Sequence, residues 1–238
     1  MMPNMTEIAQ HRQAVLTRLQ AACAAAGREP GAVRLLAVSK TFDAEAVHQA
    51  WFDGQREFGE NYIQEGVDKI ARLRELAPGG GLVWHCIGPV QSNKTRLVAE
   101  HFDWLHTVDR LKIAQRLNEQ RPAHLPPLNV CLQVNIDGGD TKSGVAPHEA
   151  LGLAQALLAL PRLRLRGLMT IPDPVDDMVA VHTRARVLFE DLQRALALPD
   201  FDTLSMGMSG DMDAAVQSGS TMVRVGSAIF GTRPPKIA

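Results

Sequence analysis

One lysine of this 238-residue chain directly follows an apolar segment, and its amine is the first candidate for chemistry. Lys40 comes immediately after residues 33–39, a run that is nearly continuous in apolar side chains. Loss of solvation lowers the pKa of a lysine, and a neutral amine attacks carbonyl carbons. Lys40 is therefore a candidate nucleophile toward a carbonyl compound, and a solvated lysine at the start of a loop is the alternative.

Two stretches near the end of the chain combine glycine with serine. Ser209-Gly210 and Gly226-Ser227 each stand where a helical segment is expected to begin after an apolar run. Backbone N–H groups are unpaired at such a position and the helix dipole adds positive potential, so both features favour a phosphate group. Serine and glycine are also common helix-cap and turn residues, so a purely structural role is the alternative for either stretch taken alone.

An arginine lies inside the last apolar run, Met222–Val225. An isolated buried charge is costly, so Arg224 needs a partner. It either donates a hydrogen bond to a bound ligand or forms a structural salt bridge with a carboxylate such as that of Glu60. A lysine amine, a pair of phosphate-binding turns and an arginine on one rim together describe a site for pyridoxal 5′-phosphate (PLP).

These residues meet only if the elements that carry them end on the same side of a sheet. After a predicted amphipathic helix at about Asn4–Ala26, β-type runs alternate with helical segments. The predicted strands are 33–39, 56–59, 82–87, 104–108, 130–136, 165–171, 201–206 and 222–225. The predicted helices are 44–53, 63–76, 93–101, 110–120, 147–160, 177–197 and 212–218. The candidate N-caps are Asp43, Asp109, Asp176 and Asp211.

The strand runs are nearly continuous in apolar residues, which is typical of parallel strands covered by helices on both faces. Their alternation with helices predicts an α/β fold, a closed (β/α)8 TIM barrel with an additional N-terminal helix; an open doubly wound sheet is the alternative. No linker divides the sequence, so we expect a single domain over residues 1–238. Functional residues of such a barrel lie at the carboxyl ends of the strands, where Lys40 and the two glycine–serine turns are expected to converge.

Composition narrows the class of protein. The chain is 45% hydrophobic and 21% charged, which indicates a globular fold rather than disorder. Its formal net charge of −1 gives no general attraction for nucleic acid or an anionic membrane. Cys23, Cys86 and Cys131 are widely spaced, which favours reduced thiols over disulfides or a metal site. The first 20 residues lack signal-peptide features and no apolar run reaches about 18 residues, so we expect a cytoplasmic protein.

Several longer motifs resemble, in the same order, the YggS/PROSC family of pyridoxal phosphate homeostasis proteins. They are AVSKT (37–41), FGENYIQE (58–65), WHCIGPVQSNK (84–94), KSG (142–144), GLMTI (167–171), SMGMSGD (205–211) and STMVRVGSAIFG (220–231). The resemblance runs from about residue 33 to the end of the sequence. Its main departure is Gly210, which stands where the family usually has an acidic residue.

The resemblance implies the barrel fold of the alanine racemase N-terminal domain and a protein that holds PLP as a Schiff base on Lys40. It implies that Ser209, Gly226 and Ser227 hold the phosphate group. It also implies that Arg224 faces the pyridine nitrogen. The further residues expected near the cofactor are Asn61 and Met169. The implied role is maintenance of intracellular PLP and amino-acid pools without established catalytic turnover, with PLP-dependent apo-enzymes as candidate recipients.

A monomeric PLP-dependent amino-acid racemase or lyase is the alternative function. Racemisation by two bases needs an acid–base group on each face of the reacting carbon, and Lys40 serves one face. In the resembled racemases the other base is a tyrosine from a β domain of the partner chain; we expect this chain to lack that domain, and its one tyrosine is Tyr62. His85 is the second base in the enzyme hypothesis, whereas we favour a contact with the cofactor ring or a hydrogen-bonded place in the core.

We therefore expect a monomeric carrier that is not an enzyme and binds no metal, nucleic acid or membrane. Lys142, in the loop GGDTKSG, is a candidate second amine for passing the cofactor on, and a solvated loop lysine is the alternative. A phosphate-binding barrel enzyme without PLP is a third hypothesis, but it leaves Lys40 unexplained.

Overall fold

The computed structural model describes residues 6–139, 142–175 and 177–232. Parallel strands form a closed barrel in chain order, with β8 pairing back to β1. The strands are β1 (Arg34–Val38), β2 (Glu57–Glu60), β3 (Val83–Cys86), β4 (Trp104–Val108), β5 (Leu128–Gln133), β6 (Leu163–Met169), β7 (Thr203–Ser205) and β8 (Met222–Val225). The predicted (β/α)8 barrel is confirmed, and the open-sheet alternative is wrong.

Helices surround this barrel and follow the strands along the chain. They are α1 (Glu7–Ala25), α2 (Ala44–Phe52), α3 (Ile63–Leu76), α4 (Thr95–His101), α5 (Leu111–Gln120), α6 (Ala150–Leu158), α7 (Met178–Leu196), α8 (Met212–Gln217) and α9 (Ser227–Phe230), with a 3-10 turn at Pro147–Glu149 before α6. Among the residues that the structure describes, no helix has the length and apolar character needed to cross a membrane.

The additional N-terminal helix is α1. Its N-cap is Thr6, whose hydroxyl accepts a hydrogen bond from the Ala9 N–H, and the predicted start at Asn4 lies outside the described residues. The buried face of α1 carries Val15 and Leu19, and the helix packs against α8 and α9. The extra helix is therefore attached to the last two β/α units of the barrel.

The N-cap predictions have mixed outcomes. Asp43 caps α2 by accepting a hydrogen bond from the Ala46 N–H, as predicted. Asp109 does not cap α5, because Arg110 holds the N-cap position and the Asp109 carboxylate pairs with the Arg110 guanidinium. Asp211 precedes α8, but its side chain makes no capping hydrogen bond. Asp176 lies outside the described residues.

Alternation along the strands decides which side chains face the barrel interior. An inward-facing apolar cluster comprises Leu36, Val38, Ile87 and Met222. Lys40 stands two residues beyond Val38 and continues the inward row of β1. Arg224 stands two residues beyond Met222 and continues the inward row of β8. The fold therefore directs the two predicted cationic residues toward the same end of the barrel.

Polar side chains occupy the interior next to this cluster. The Nδ1 atom of His85 lies 2.9 Å from Nε2 of His106, and Nδ1 of His106 lies 3.0 Å from the Ser205 hydroxyl. Burial holds the pKa of both histidines well below the ordinary value, so both rings are neutral. The barrel core thus contains a hydrogen-bonded chain of uncharged groups, at one end of which the buried Nε2 atom of His85 has no hydrogen-bond partner among the described residues.

Cys23, Cys86 and Cys131 are all buried and form no disulfide. This agrees with the prediction of reduced thiols.

Candidate functional site

A cavity of about 270 Å³ lies at the carboxyl end of the barrel. This volume is close to the lower end of the range for small-molecule sites, about 300 Å³, so the cavity suits one small ligand. It is lined by Val38, Lys40, Phe42, Asn61, Ile87, Ile171, Met208, Ser209, Gly210, Arg224, Gly226 and Ser227. The structure therefore brings the predicted lysine, the predicted arginine and both glycine–serine turns into one cavity.

Lys40 is half-buried at the start of the loop that follows β1. The next residue, Thr41, has φ +70°, a left-handed conformation that is uncommon for a β-branched side chain. The Thr41 N–H donates a hydrogen bond of 2.6 Å to a carboxylate oxygen of Glu65 on α3. This bond holds the strained turn and thereby fixes the backbone beside the candidate nucleophile.

A buried ionic cluster supports the other side of the same turn. The Lys69 ammonium lies 2.8 Å from the Glu60 carboxylate and 2.7 Å from that of Glu65. It also donates a 2.7 Å hydrogen bond to the Ser39 carbonyl, while the Ser39 hydroxyl donates a 2.6 Å bond to Glu60. Burial raises the pKa of Glu60 even though Lys69 opposes the rise. Both neighbours of Lys40 are thus bonded to one cluster, which the sequence analysis did not identify.

The two glycine–serine turns face the cavity with backbone donors. Within the described part of the chain, the N–H groups of Ser209, Gly210 and Gly226 have no hydrogen-bond acceptor. A side chain at Gly226 would place its Cβ 3.1 Å from the Val38 carbonyl oxygen, so glycine permits the close approach of β8 and β1 here. Unpaired N–H donors beside serine hydroxyls form a suitable site for a phosphate group.

Arg224 is buried and lies in the cavity wall. Its guanidinium donates a 2.8 Å hydrogen bond to the Ser205 hydroxyl and a 2.9 Å bond to the Thr170 carbonyl. Burial lowers the pKa of Arg224 to about 10, so the group stays protonated at neutral pH. The alternative salt bridge to Glu60 does not form, because Glu60 points outward and pairs with Lys69.

Asn61 also lines the cavity, on the loop after β2. Its side-chain oxygen is buried and has no hydrogen-bond partner among the described residues. A Cβ at Gly88 would lie 2.1 Å from the Asn61 carbonyl oxygen, so the glycine lets the loops after β2 and β3 pack closely. The unpaired Asn61 oxygen is an acceptor that a ligand in the cavity can use.

His85 and Met169 are not among the lining residues. His85 stacks on Trp104 and bonds to His106, which is the core position that the sequence analysis left open. Met169 is fully buried against Trp104 and Cys131. Ile87, which stands two residues after His85 and faces the same way, lines the cavity instead.

The apolar part of the wall was missed by the sequence analysis. Phe42, Ile87, Ile171 and Met208 complete the lining. The inward alternation of β3 was a usable signal for Ile87, because Ile87 continues the row of His85. Phe42 and Met208 lie on loops, where no periodicity predicts the direction of a side chain.

Comparison with known proteins agrees with this geometry. Residues 11–234 match the sequence profile of the alanine racemase N-terminal domain. The pyridoxal phosphate homeostasis protein of Pseudomonas aeruginosa is 56% identical over 232 residues, which cover 96% of this chain and 97% of the relative. The chain belongs to the pyridoxal phosphate homeostasis protein family. The family membership that the sequence motifs predicted is confirmed.

Two further relatives extend the comparison. The pyridoxal phosphate homeostasis protein of Escherichia coli is 56% identical over 232 residues, covering 96% of this chain and 98% of the relative. PipY of Synechococcus elongatus, solved with PLP bound, is 35% identical with a TM-score of 0.82. The match covers 94% of this chain and 100% of PipY.

Proposed function

We propose that this homeostasis protein family member binds PLP in the described cavity, attaches it reversibly to Lys40 and buffers the intracellular PLP pool without catalytic turnover. The observation that carries the proposal is that Lys40 and both glycine–serine turns line one cavity of small-ligand size. The names of the relatives and the PLP-bound state of PipY support the choice of ligand.

The residues present fit the functional groups of PLP. Lys40 would hold the aldehyde end of PLP through its amine, in an attachment that water can reverse. Ser209, Gly226 and Ser227 offer N–H and hydroxyl donors to the phosphate group. Asn61 offers an unpaired acceptor. Each end of the ligand thus has its own group of protein residues.

Arg224 would donate a hydrogen bond to the pyridine nitrogen. PLP supplies an electron sink for reactions at amino-acid carbons when its ring nitrogen is protonated. A guanidinium has only donors and keeps its proton, so it leaves the ring nitrogen unprotonated and weakens that sink. Arg224 therefore favours storage, but the resembled alanine racemases carry an arginine at the same place, so Arg224 alone does not distinguish a carrier from a racemase.

The cavity wall also supports a carrier rather than a racemase. Among the described lining residues, Lys40 and Arg224 are the ionisable ones, and arginine does not serve as a general base at neutral pH. Two-base racemisation needs a second base near the reacting carbon. His85, the candidate for that role, bonds to His106 in the core and does not line the cavity.

The proposal is tested by adding PLP to the purified protein and recording its visible absorption spectrum. We expect the protein to turn yellow, to lose the band on borohydride reduction, and to carry the reduced adduct on Lys40 by peptide mass spectrometry. Lys40→Ala abolishes the band. Lys112→Ala is the matched control, because Lys112 is an exposed lysine on α5 and does not line the cavity.

The absence of turnover is tested with L-alanine and other L-amino acids, by following chirality and keto-acid release. Turnover on the order of 1 s⁻¹ would overturn the carrier hypothesis, because ordinary enzymes start near that rate. An unchanged spectrum of the Lys40→Ala variant would overturn the attachment site.

The proposed carrier acts in the cytoplasm as a monomer with one domain, and it passes PLP to PLP-dependent apo-enzymes. Lys142 is the candidate second amine; its ammonium lies 2.7 Å from Asp173 and 3.7 Å from Asp137. Recovery of apo-enzyme activity on mixing with the loaded protein tests delivery, and size-exclusion chromatography with light scattering tests the monomer.

A further inference from the structure

The turn that carries Ser209 and Gly210 is closed by reciprocal hydrogen bonds. The Asp211 carboxylate accepts a 2.7 Å bond from the Met208 N–H, and the Asp211 N–H donates a 3.3 Å bond to the Met208 carbonyl. These bonds leave the N–H groups of Ser209 and Gly210 to the cavity. The Asp211 side chain therefore shapes the turn in front of it instead of capping α8 behind it.

A buried histidine holds this carboxylate from behind. Nε2 of His182, on α7, lies 2.8 Å from the second carboxylate oxygen of Asp211, and the His182 side chain is 0% exposed. An ionised carboxylate only accepts hydrogen bonds, so Nε2 carries the proton. Nδ1 of His182 has no partner among the described residues, which makes Asp211 the one hydrogen-bonded contact of the ring.

Asp211 is ionised in this arrangement. Burial alone raises the pKa of a carboxyl group, but the hydrogen bonds from His182 and the Met208 N–H outweigh it and hold the pKa of Asp211 below its ordinary value. Each oxygen of the Asp211 carboxylate accepts a hydrogen bond from the protein, one from the Met208 N–H and one from His182. The anion is thus fixed in place next to a turn that is itself suited to a second anion.

The N-terminal helix holds the same turn from another side. The Arg18 guanidinium, on α1, donates a 2.8 Å hydrogen bond to the Ser209 carbonyl and pairs at 2.7 Å with Asp213 on α8. A helix that is not needed to close the barrel therefore contacts the backbone of the cavity wall. Its guanidinium thus lies beside the backbone of Ser209, a residue predicted to hold the phosphate group.

On the basis of the proposed function, we propose that His182 and Arg18 are positioning residues for the phosphate ester of the cofactor. His182 acts through Asp211, and Arg18 acts through the Ser209 carbonyl. Hydrogen-bond donors act on an anion only within a narrow range of distance and angle, so a loosened turn loses affinity for it. The aldehyde reacts with Lys40 on the opposite side of the ligand, so this device distinguishes phosphorylated from unphosphorylated pyridoxal.

The test compares the dissociation constants of PLP and of pyridoxal, which lacks the phosphate, for wild type and variants. We expect His182→Leu to weaken PLP about tenfold, or about 1.4 kcal/mol, and to leave pyridoxal within about twofold. His182→Gln places an N–H donor near the position of Nε2 and restores most of the PLP affinity. A merely structural role of His182 would move both ligands together.

Arg18→Met gives an independent arm, because Arg18 is half-exposed and its loss does not threaten the core. We expect about a threefold weakening of PLP and no change for pyridoxal. Arg194→Met is the control: Arg194 pairs with Asp191 at the surface in the last turn of α7, about 18 Å along the helix from His182.

Equal weakening of both ligands by His182→Leu, or an unchanged ratio in both His182→Leu and Arg18→Met, would overturn the positioning role. If His182→Leu does not fold, Arg18→Met and His182→Gln decide the question. Failure of the wild-type protein to bind either ligand would instead refute the proposed function.

Discussion

Lys69 is the buried cation behind the Lys40 turn, and its replacement by methionine tests how that turn is held. The Lys69 side chain is 6% exposed and the Glu60 side chain 0% exposed, so the Lys69→Met protein would keep a buried carboxylate without its cation. Removal of one partner of a buried ion pair costs about 3–5 kcal/mol, a large share of the roughly 5–15 kcal/mol that stabilise a domain.

The assay is urea unfolding at neutral pH. Arg72→Met is the matched control, because Arg72 lies on the same helix α3 and its ion pairs with Glu45 and Glu75 are exposed. Exposed pairs contribute roughly 0–1 kcal/mol, so the control should change the free energy of unfolding very little. The double variant Lys69→Met/Glu60→Gln removes the unpaired charge and should recover part of the loss. Equal small losses for Lys69→Met and Arg72→Met would refute the reasoning.

The same variant has a defined pH dependence. The pKa of Glu60 is already raised by burial above its ordinary value of 4.5, and loss of Lys69 raises it further. An acid with a raised pKa in the folded state binds protons more tightly there, so its ionisation destabilises the fold as pH rises through that raised value. The loss caused by Lys69→Met is therefore largest at neutral pH. It shrinks as pH falls from the raised pKa toward 4.5.

Three further substitutions or treatments test other parts of the site. Gly88→Ala should destabilise the protein by about 1–3 kcal/mol in urea and weaken PLP, because its Cβ would meet a carbonyl oxygen at 2.1 Å; Gly152→Ala in α6, which meets nothing within 4 Å, should be neutral or stabilising. Gly210→Asp, also without a close neighbour, should weaken PLP but not pyridoxal, and added salt should reduce the difference. Burial raises the pKa of Cys86 and Cys131 to about 12, so both stay thiols at pH 8. Thiol-reactive reagents, which need the thiolate, should label neither until the protein unfolds.

Most of the fold and much of the cavity wall were predictable from the sequence, since the signals are local. Continuous apolar runs predicted the parallel strands, and inward alternation from Val38 places Lys40 at the mouth of the barrel. The partner of Arg224 was not predictable by charge alone. The sequence offered Glu60 as the carboxylate partner of Arg224. Successive residues of a strand point to opposite faces, and the Glu60 side chain points outward to α3. Arg224 donates its hydrogen bonds to Ser205 and Thr170 instead.

Long-range pairs account for the remaining errors. No period in the sequence links α7 to the loop after β7, or α1 to Ser209, yet these are the contacts that hold the turn. Such contacts depend on how helices lie over the closed barrel, and helix packing angles follow from side-chain shapes across the whole interface. His85 was ambiguous for a related reason, because its partner His106 comes from the neighbouring strand.

The two ends of the cavity are supported by separate clusters behind the wall. The Ser39–Glu60–Lys69 cluster holds the turn that carries Lys40. The Asp211–His182 pair holds the turn that carries Ser209 and Gly210. The two clusters share no residue and no hydrogen bond among the described contacts, so changes in them should act additively. The proposed carrier would benefit from this separation, because release of PLP from Lys40 would leave its phosphate end held until an acceptor takes the cofactor.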